Sequence, residues 1–131
     1  MLIEFGTRYA EAWGSQDAES VASFFAEGGS LQINDGEPSI GRDAISGVAQ
    51  SFMTTLPDMV LLMDSLDVNG EDISFYWTLV ATHSGPEGNG NSVEISGYEE
   101  WTIDSDGLIT QSLGHMDTAE YERQLESGVG E

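Results

Sequence analysis

At Pro57 the spacing of apolar residues changes, and this change limits the possible folds more than any other feature of the chain. Before it, apolar side chains recur every three or four residues, as on a helix with one buried face; after it they alternate, as on a half-buried strand. Leu2, Phe5, Tyr9 and Trp13 predict a helix over 2–13. "GSQD" interrupts it, Ser15 or Asp17 can cap a second helix through Val21, Phe24 and Phe25, and "EGG" at 27–29 stops that helix. "SLQIN" alternates as a short strand with Leu31 and Ile33 on one face, and "GEPSIG" reads as a loop. Ile45, Val48, Ala49, Phe52 and Met53 mark a third helix over 42–56.

Beyond Pro57 four strands are expected, near 59–68, 72–83, 92–103 and 108–116, with the turn signals "NGED", "SGPEGNGNS" and "DSDG" between them. "DTAEYERQL" closes the chain as a helix, and Asp117 with Glu120 three residues later predicts a capping box. Helices first and a meander afterwards predict a single α+β domain over residues 1–131, with a curved antiparallel sheet folded over helices.

The strand faces carry the argument toward a site. In the second long strand Phe75, Trp77, Leu79, Ala81 and His83 share one face. In the third, Val93, Ile95, Gly97, Glu99, Trp101 and Ile103 share a face, which places the Glu99 carboxyl in an apolar row. A hairpin symmetric about residue 88 sets Glu99 opposite Trp77 and Val93 opposite His83. His83 then lies about 20 Å from Glu99 at ~3.3 Å per residue, too far for joint chemistry within one subunit.

Composition bounds the partners. Twenty-four acidic residues face three arginines, Arg8, Arg42 and Arg123, and no lysine, for a formal charge of −21. Three arginines cannot neutralise several phosphates, so nucleic-acid binding is not expected. The acids are spread along the chain, a distribution that resembles proteins of salt-accumulating halophiles, and a salt-rich cytoplasm is the expected setting. No run nears the ~18 apolar residues of a membrane span, and "MLIEFGTRYAEAW" lacks a basic region leading into an apolar block, so neither membrane nor signal peptide is expected. There is no cysteine, and two histidines on different strands make no metal signature, so no metal or cofactor is expected.

Three stretches, "RYAEAWGSQDAESVASFFAEGGSLQIND" followed by "IGRDAI", "YWTLVATHSGP" and "DGLITQSLGHMDTAEYERQL", resemble the SnoaL-like polyketide cyclases of the nuclear transport factor 2-like superfamily. That resemblance implies a cone of curved sheet wrapped by helices around a pocket for a small apolar ligand, with dimers formed through the outer face of the sheet. The steroid isomerases of the same superfamily use a tyrosine and two carboxylates. Carried over, their tyrosine falls on Tyr9, their general base on Asp35 and their oxyanion-stabilising acid on Glu99, already placed inside by strand alternation. The expected pocket lining is Trp13, Phe52, Trp77, His83, Trp101, Ser112 and Met116, whereas His115 should face away.

The cyclases, by contrast, carry histidine at the Glu99 position and an acid at the position of Gly114, and their glycine before the threonine-histidine pair is Ala81 here. The resemblance thus implies cofactor-independent isomerase or cyclase chemistry on a small carbonyl compound, with a non-catalytic ligand-binding or assembly role as the alternative. Epoxide hydrolysis, also found in the superfamily, fits less well, because no arginine lies on the later strands.

The charge alone yields a prediction. Self-repulsion destabilises the compact state in dilute salt, and at molar salt the Debye length falls to roughly 3 Å. The thermal unfolding midpoint should therefore rise steadily as potassium chloride is raised toward molar concentration. A midpoint indifferent to salt would contradict this.

Overall fold

A computed structural model describes residues 2–70, 72–85 and 88–128; Glu71, Pro86 and Glu87 of the two expected turns lie outside the described residues. The helix α1 (Leu2–Trp13) is followed by α2 (Ala18–Ala22), β1 (Phe25–Ile33), β2 (Ser39–Ile40) and α3 (Arg42–Thr55). Then come β3 (Val60–Asn69), β4 (Asp72–Thr82), β5 (Ser92–Ile103), β6 (Ile109–Met116) and α4 (Thr118–Ser127). The six strands form one curved, unclosed sheet in the order β2-β1-β6-β5-β4-β3. All neighbours are antiparallel except β1 and β6, which run parallel, where sequence alone predicts an antiparallel sheet.

The largest departure from expectation lies at residues 22–29. Asp17 caps α2 by accepting from the Glu19 amide, but the helix ends at Ala22 and does not continue through Phe25. The Phe24 carbonyl accepts from the Ile109 amide, and Phe25 opens β1 beside Ile109, fully buried. "EGG" is therefore part of β1, where the register slips between Phe25 and Ser30 and the strand bulges. Gly29 is required there, since a Cβ would lie 2.7 Å from the Ile109 carbonyl oxygen. The expected "GEPSIG" loop contains the short strand β2, paired with β1.

The predicted strand faces hold, although the hairpin register is shifted by two residues: Glu99 pairs with Phe75, not Trp77, and Val93 with Ala81, not His83. A shift of two keeps every side chain on its face, because the side-chain period of a strand is two. Further bulges interrupt β3 at Asp64 and β6 at Thr110, opposite Thr102 and Ile103 of β5, adding local bend. At the closing helix Asp117 Oδ1 accepts from the Glu120 amide. The Glu120 carboxylate does not complete the capping box. It binds Arg123 and Gln124, and these bonds pull its pKa down to about 2.

The core is aromatic. Tyr9 on α1 makes edge-on contacts with Phe24, Phe75 and Trp101, and the Phe75 and Trp101 rings stack 4.9 Å apart. Helix and sheet pack closely at Gly6, where an added Cβ would lie 2.6 Å from Met63 Sδ and that flexible side chain would have to shift. Gly97 has the tightest surroundings on the concave face: an added Cβ would lie 2.4 Å from the His115 carbonyl oxygen and 2.6 Å from the Trp77 ring.

Gly97→Ala should therefore destabilise the protein by about 1–3 kcal/mol through overpacking. Gly47→Ala, on the exposed side of α3 where a Cβ meets nothing within 4 Å, should stabilise it by roughly 0.5–1 kcal/mol. Urea unfolding at constant salt measures both, and a shared sign would refute the packing argument.

Candidate functional site

Glu99 is 7% exposed and projects from β5 into the concave face. Three donors from three elements converge on a single oxygen of its carboxyl group. The Tyr9 hydroxyl from α1 donates to Oε1 at 3.0 Å, the Trp101 indole from β5 at 2.9 Å and the Ser112 hydroxyl from β6 at 2.7 Å. Strand geometry assembles this set: Trp101 lies two residues from Glu99 on the same face, and Ser112 is the cross-strand partner of Trp101. Oε2 has no hydrogen-bond partner among the described residues.

Burial raises the Glu99 pKa from its ordinary value of 4.5, against the opposing pull of Trp101, Ser112 and Tyr9. The Tyr9 hydroxyl is held well above 10.0 by burial and then by the adjacent Glu99 charge, so it remains a neutral donor. The Trp13 indole N–H opposes that rise but does not meet hydrogen-bond geometry. In the protonated acid, Oε1 is the carbonyl oxygen that accepts, and Oε2 carries a proton it can offer to a ligand.

Glu99 lines a cavity of about 60 Å³. Trp13, Phe52, Trp77 and Tyr121 supply aromatic walls, and Leu31, Ile33, Leu61, Leu79, Ile95 and Met116 supply aliphatic ones. At roughly 10–15 Å³ per enclosed water, this volume suits a small molecule. Gly114, also in the lining, is the cross-strand partner of Glu99, and a Cβ there would stand 3.8 Å from Glu99 Cγ. Gly114 thus leaves the space beside the stem of Glu99 open.

The expected site residues divide clearly. Tyr9 and Glu99 meet, and Trp13, Phe52, Trp77 and Met116 line the cavity with Glu99. Trp101 and Ser112 hold the carboxyl group and are not among the lining residues. Asp35 is not brought to the cavity: it is exposed in the turn after β1. The alternation of Leu31 and Ile33 stops at Asn34, whose φ of 53° turns the chain away. The Asn34 side chain locks this turn by donating to the Met116 carbonyl at 2.8 Å and accepting from its amide at 3.0 Å.

His83 is likewise outside the lining, eight residues along β4 from the partner of Glu99, about 26 Å at ~3.3 Å per residue. Its Nδ1 lies 3.1 Å from the Leu125 carbonyl oxygen, to which Asn89 and Asn91 also donate, so it secures the end of α4. His115, expected to face away, stacks on Tyr98 at 4.5 Å with Nε2 2.8 Å from Glu100 Oε2, yet the residue is also among those lining the cavity, between Gly114 and Met116. Sequence reasoning missed Tyr121, whose pKa burial lifts to about 12, and the donor role of Trp101, which its place two residues from Glu99 could have signalled. Among the described residues no three His, Asp or Glu side chains group as a metal site, and no helix is long and apolar enough to cross a membrane.

The raised Glu99 pKa has a definite sign in stability. Below about 4.5 the acid is protonated in both folded and unfolded chains; above it the unfolded chain loses the proton first. The stabilisation is therefore complete below that value and is lost as pH rises through the higher folded midpoint. The unfolding free energy of the wild type minus that of Glu99→Gln should fall across this window and then level off. Paired urea titrations from acid to neutral pH measure it, and a difference that grows with pH would contradict it.

Comparison with known proteins agrees with this fold. The sequence profile of the SnoaL-like domain matches residues 7–112. A protein from Jannaschia sp. CCS1, provisionally assigned as a SnoaL-like polyketide cyclase, superposes with a TM-score of 0.83 at 14% identity, covering 96% of this chain and 91% of that one. A ketosteroid isomerase-like protein from Catenulispora acidiphila, crystallised with trimethylamine, gives 0.79 at 15% identity, with 92% and 90% covered. A nuclear transport factor 2-like protein of unknown function from Burkholderia pseudomallei gives 0.79 at 22% identity, with 95% and 97% covered. No curated protein matches the sequence significantly. With four-fifths of its length matched, from the middle of α1 to Ser112 in β6, the chain belongs to the SnoaL-like domain family.

Proposed function

We propose that the cone binds a small, largely apolar carbonyl compound and that Glu99, as the neutral acid, hydrogen-bonds through Oε2 to the carbonyl oxygen. One observation carries this reading: all three protein donors occupy Oε1 and none occupies Oε2, in a residue that lines the cavity. A buried acid held in this way polarises a carbonyl as an oxyanion-hole donor does. Polarisation is the step shared by isomerase and cyclase chemistry, since it favours both enolisation and internal attack on the carbonyl carbon.

In enolisation the α C–H electron pair becomes the C=C bond, the carbonyl π pair takes the Glu99 proton, and the α-proton leaves to water, which reprotonates Glu99. With Asp35 in the exposed turn, no second carboxylate in the lining supplies the base that a two-carboxylate isomerase uses. That observation favours a second reading, ligand binding without turnover. The outer face of the sheet bears exposed Val60, Leu62 and Val80 beside the stacked Tyr76, Tyr98 and His115. We infer that two copies associate there, in a salt-rich cytoplasm.

Exchange of the α-protons of cyclohexanone in deuterium oxide, followed by proton NMR in molar potassium chloride, tests the proposal. Exchange above the buffer rate that falls by about a hundredfold in Glu99→Gln supports acid catalysis. Binding that weakens in Glu99→Gln without any exchange selects the non-catalytic reading, and binding indifferent to the substitution refutes both.

A further inference from the structure

Two tryptophans that line the cavity, Trp13 and Trp77, have buried indole N–H groups with no hydrogen-bond partner among the described residues. Buried unpaired donors are uncommon in folded proteins and call for a physical reason. Trp101, the third tryptophan, shows the usual solution by donating to Glu99. Trp13 is partly compensated, since its N–H faces the Tyr9 hydroxyl closely enough to favour the phenolate. The Trp77 N–H has no hydrogen-bond partner among the described residues, and Trp77 lines the cavity with the edge of its ring against Gly97.

Trp77 and Glu99 belong to one constellation. Trp77 pairs with Gly97 and Glu99 with Phe75, which makes them diagonal neighbours on the concave face of β4 and β5. Such diagonal neighbours lie roughly 7–8 Å apart with their Cβ atoms somewhat closer, so that one small ligand can touch both side chains. A monoketone bound to Glu99 leaves Trp77 unsatisfied, and so does an organic cation, which has no acceptor to offer. An anion would enter beside an acid in a chain of charge −21.

We propose that the ligand is uncharged and carries two oxygen acceptors a short distance apart, one met by Glu99 and the other by the Trp77 indole N–H, as in a small diketone or hydroxyketone. This rests on the reading that Glu99 meets a carbonyl oxygen, and it adds Trp77 as the residue that selects a two-oxygen ligand over a one-oxygen ligand. The Trp77 N–H is buried, so a ligand reaches it only if the ring shifts, and the indole signal would report that shift.

The test is a titration of nitrogen-15-labelled protein with cyclohexane-1,4-dione and with cyclohexanone, with the indole signals assigned through space. The dione should bind roughly five- to tenfold more tightly and move the Trp77 N–H signal downfield. In Trp77→Phe the ratio of the two affinities should fall to about one; the extra volume of that variant acts on both ketones and cancels in the ratio. Equal affinities in the wild type, or dione binding that leaves the Trp77 signal in place, overturns the inference even if the variant fails to fold. Movement of the Glu99 carboxyl carbon signal with both ketones while Trp77 stays fixed removes this inference and leaves the carbonyl reading standing. No movement of either signal with either ketone removes both.

Discussion

The burial of one carboxyl group under three donors ties the whole architecture together. Taking a carboxylate out of water without partners is very costly, so a Glu on the concave face requires donors, a proton, or both. The donors come from α1, β5 and β6, so the helix must sit at the right height above the sheet and the β5–β6 register must be exact to one residue. Gly6 lets α1 settle onto β3 and β4, Gly114 clears space for the stem of Glu99, and Gly97 makes room for Trp77. These glycines act as spacing elements for one polar group in an apolar cone.

The same arrangement separates fold from chemistry. The SnoaL-like frame is shared with proteins at 14–22% identity, a level at which likeness speaks for the fold and not for a reaction. Within that frame the acid is on β5 at Glu99 and absent from β6 at Gly114. The turn after β1, where a base is expected at Asp35, is held by Asn34 against Met116 and leaves Asp35 exposed. What lines the cavity is one acid, Glu99, the histidine His115, two tryptophans whose indole N–H groups have no partner among the described residues, and otherwise mostly apolar walls.

Much of this was legible in the sequence, for reasons that also explain the failures. Strand alternation alone placed Glu99 in the apolar row and survived a register error of two, because an even slip preserves the faces; a slip of one would have put the acid in water. Alternation failed at Asp35 because it was carried past the end of β1 into a turn, where Asn34 takes the left-handed conformation that Asn tolerates better than most residues. The start of β1 was hidden because "EGG" is ordinary stop chemistry for a helix, and only the approach of β6 to Gly29 explains its place inside a strand. His83 was correctly separated from Glu99, but its bond to the end of α4 depends on a contact 42 residues away that no local pattern encodes.

The most direct test of the central claim is a carbon-13 NMR titration of the Glu99 carboxyl group in the folded protein at high salt. A midpoint clearly above the free glutamate value of about 4.3, shifted further upward when Ser112→Ala removes one donor, is the expected result. A midpoint at or below the free value would mean that Glu99 stays an ordinary ionised carboxylate, and the acid-centred account of this cavity would fail.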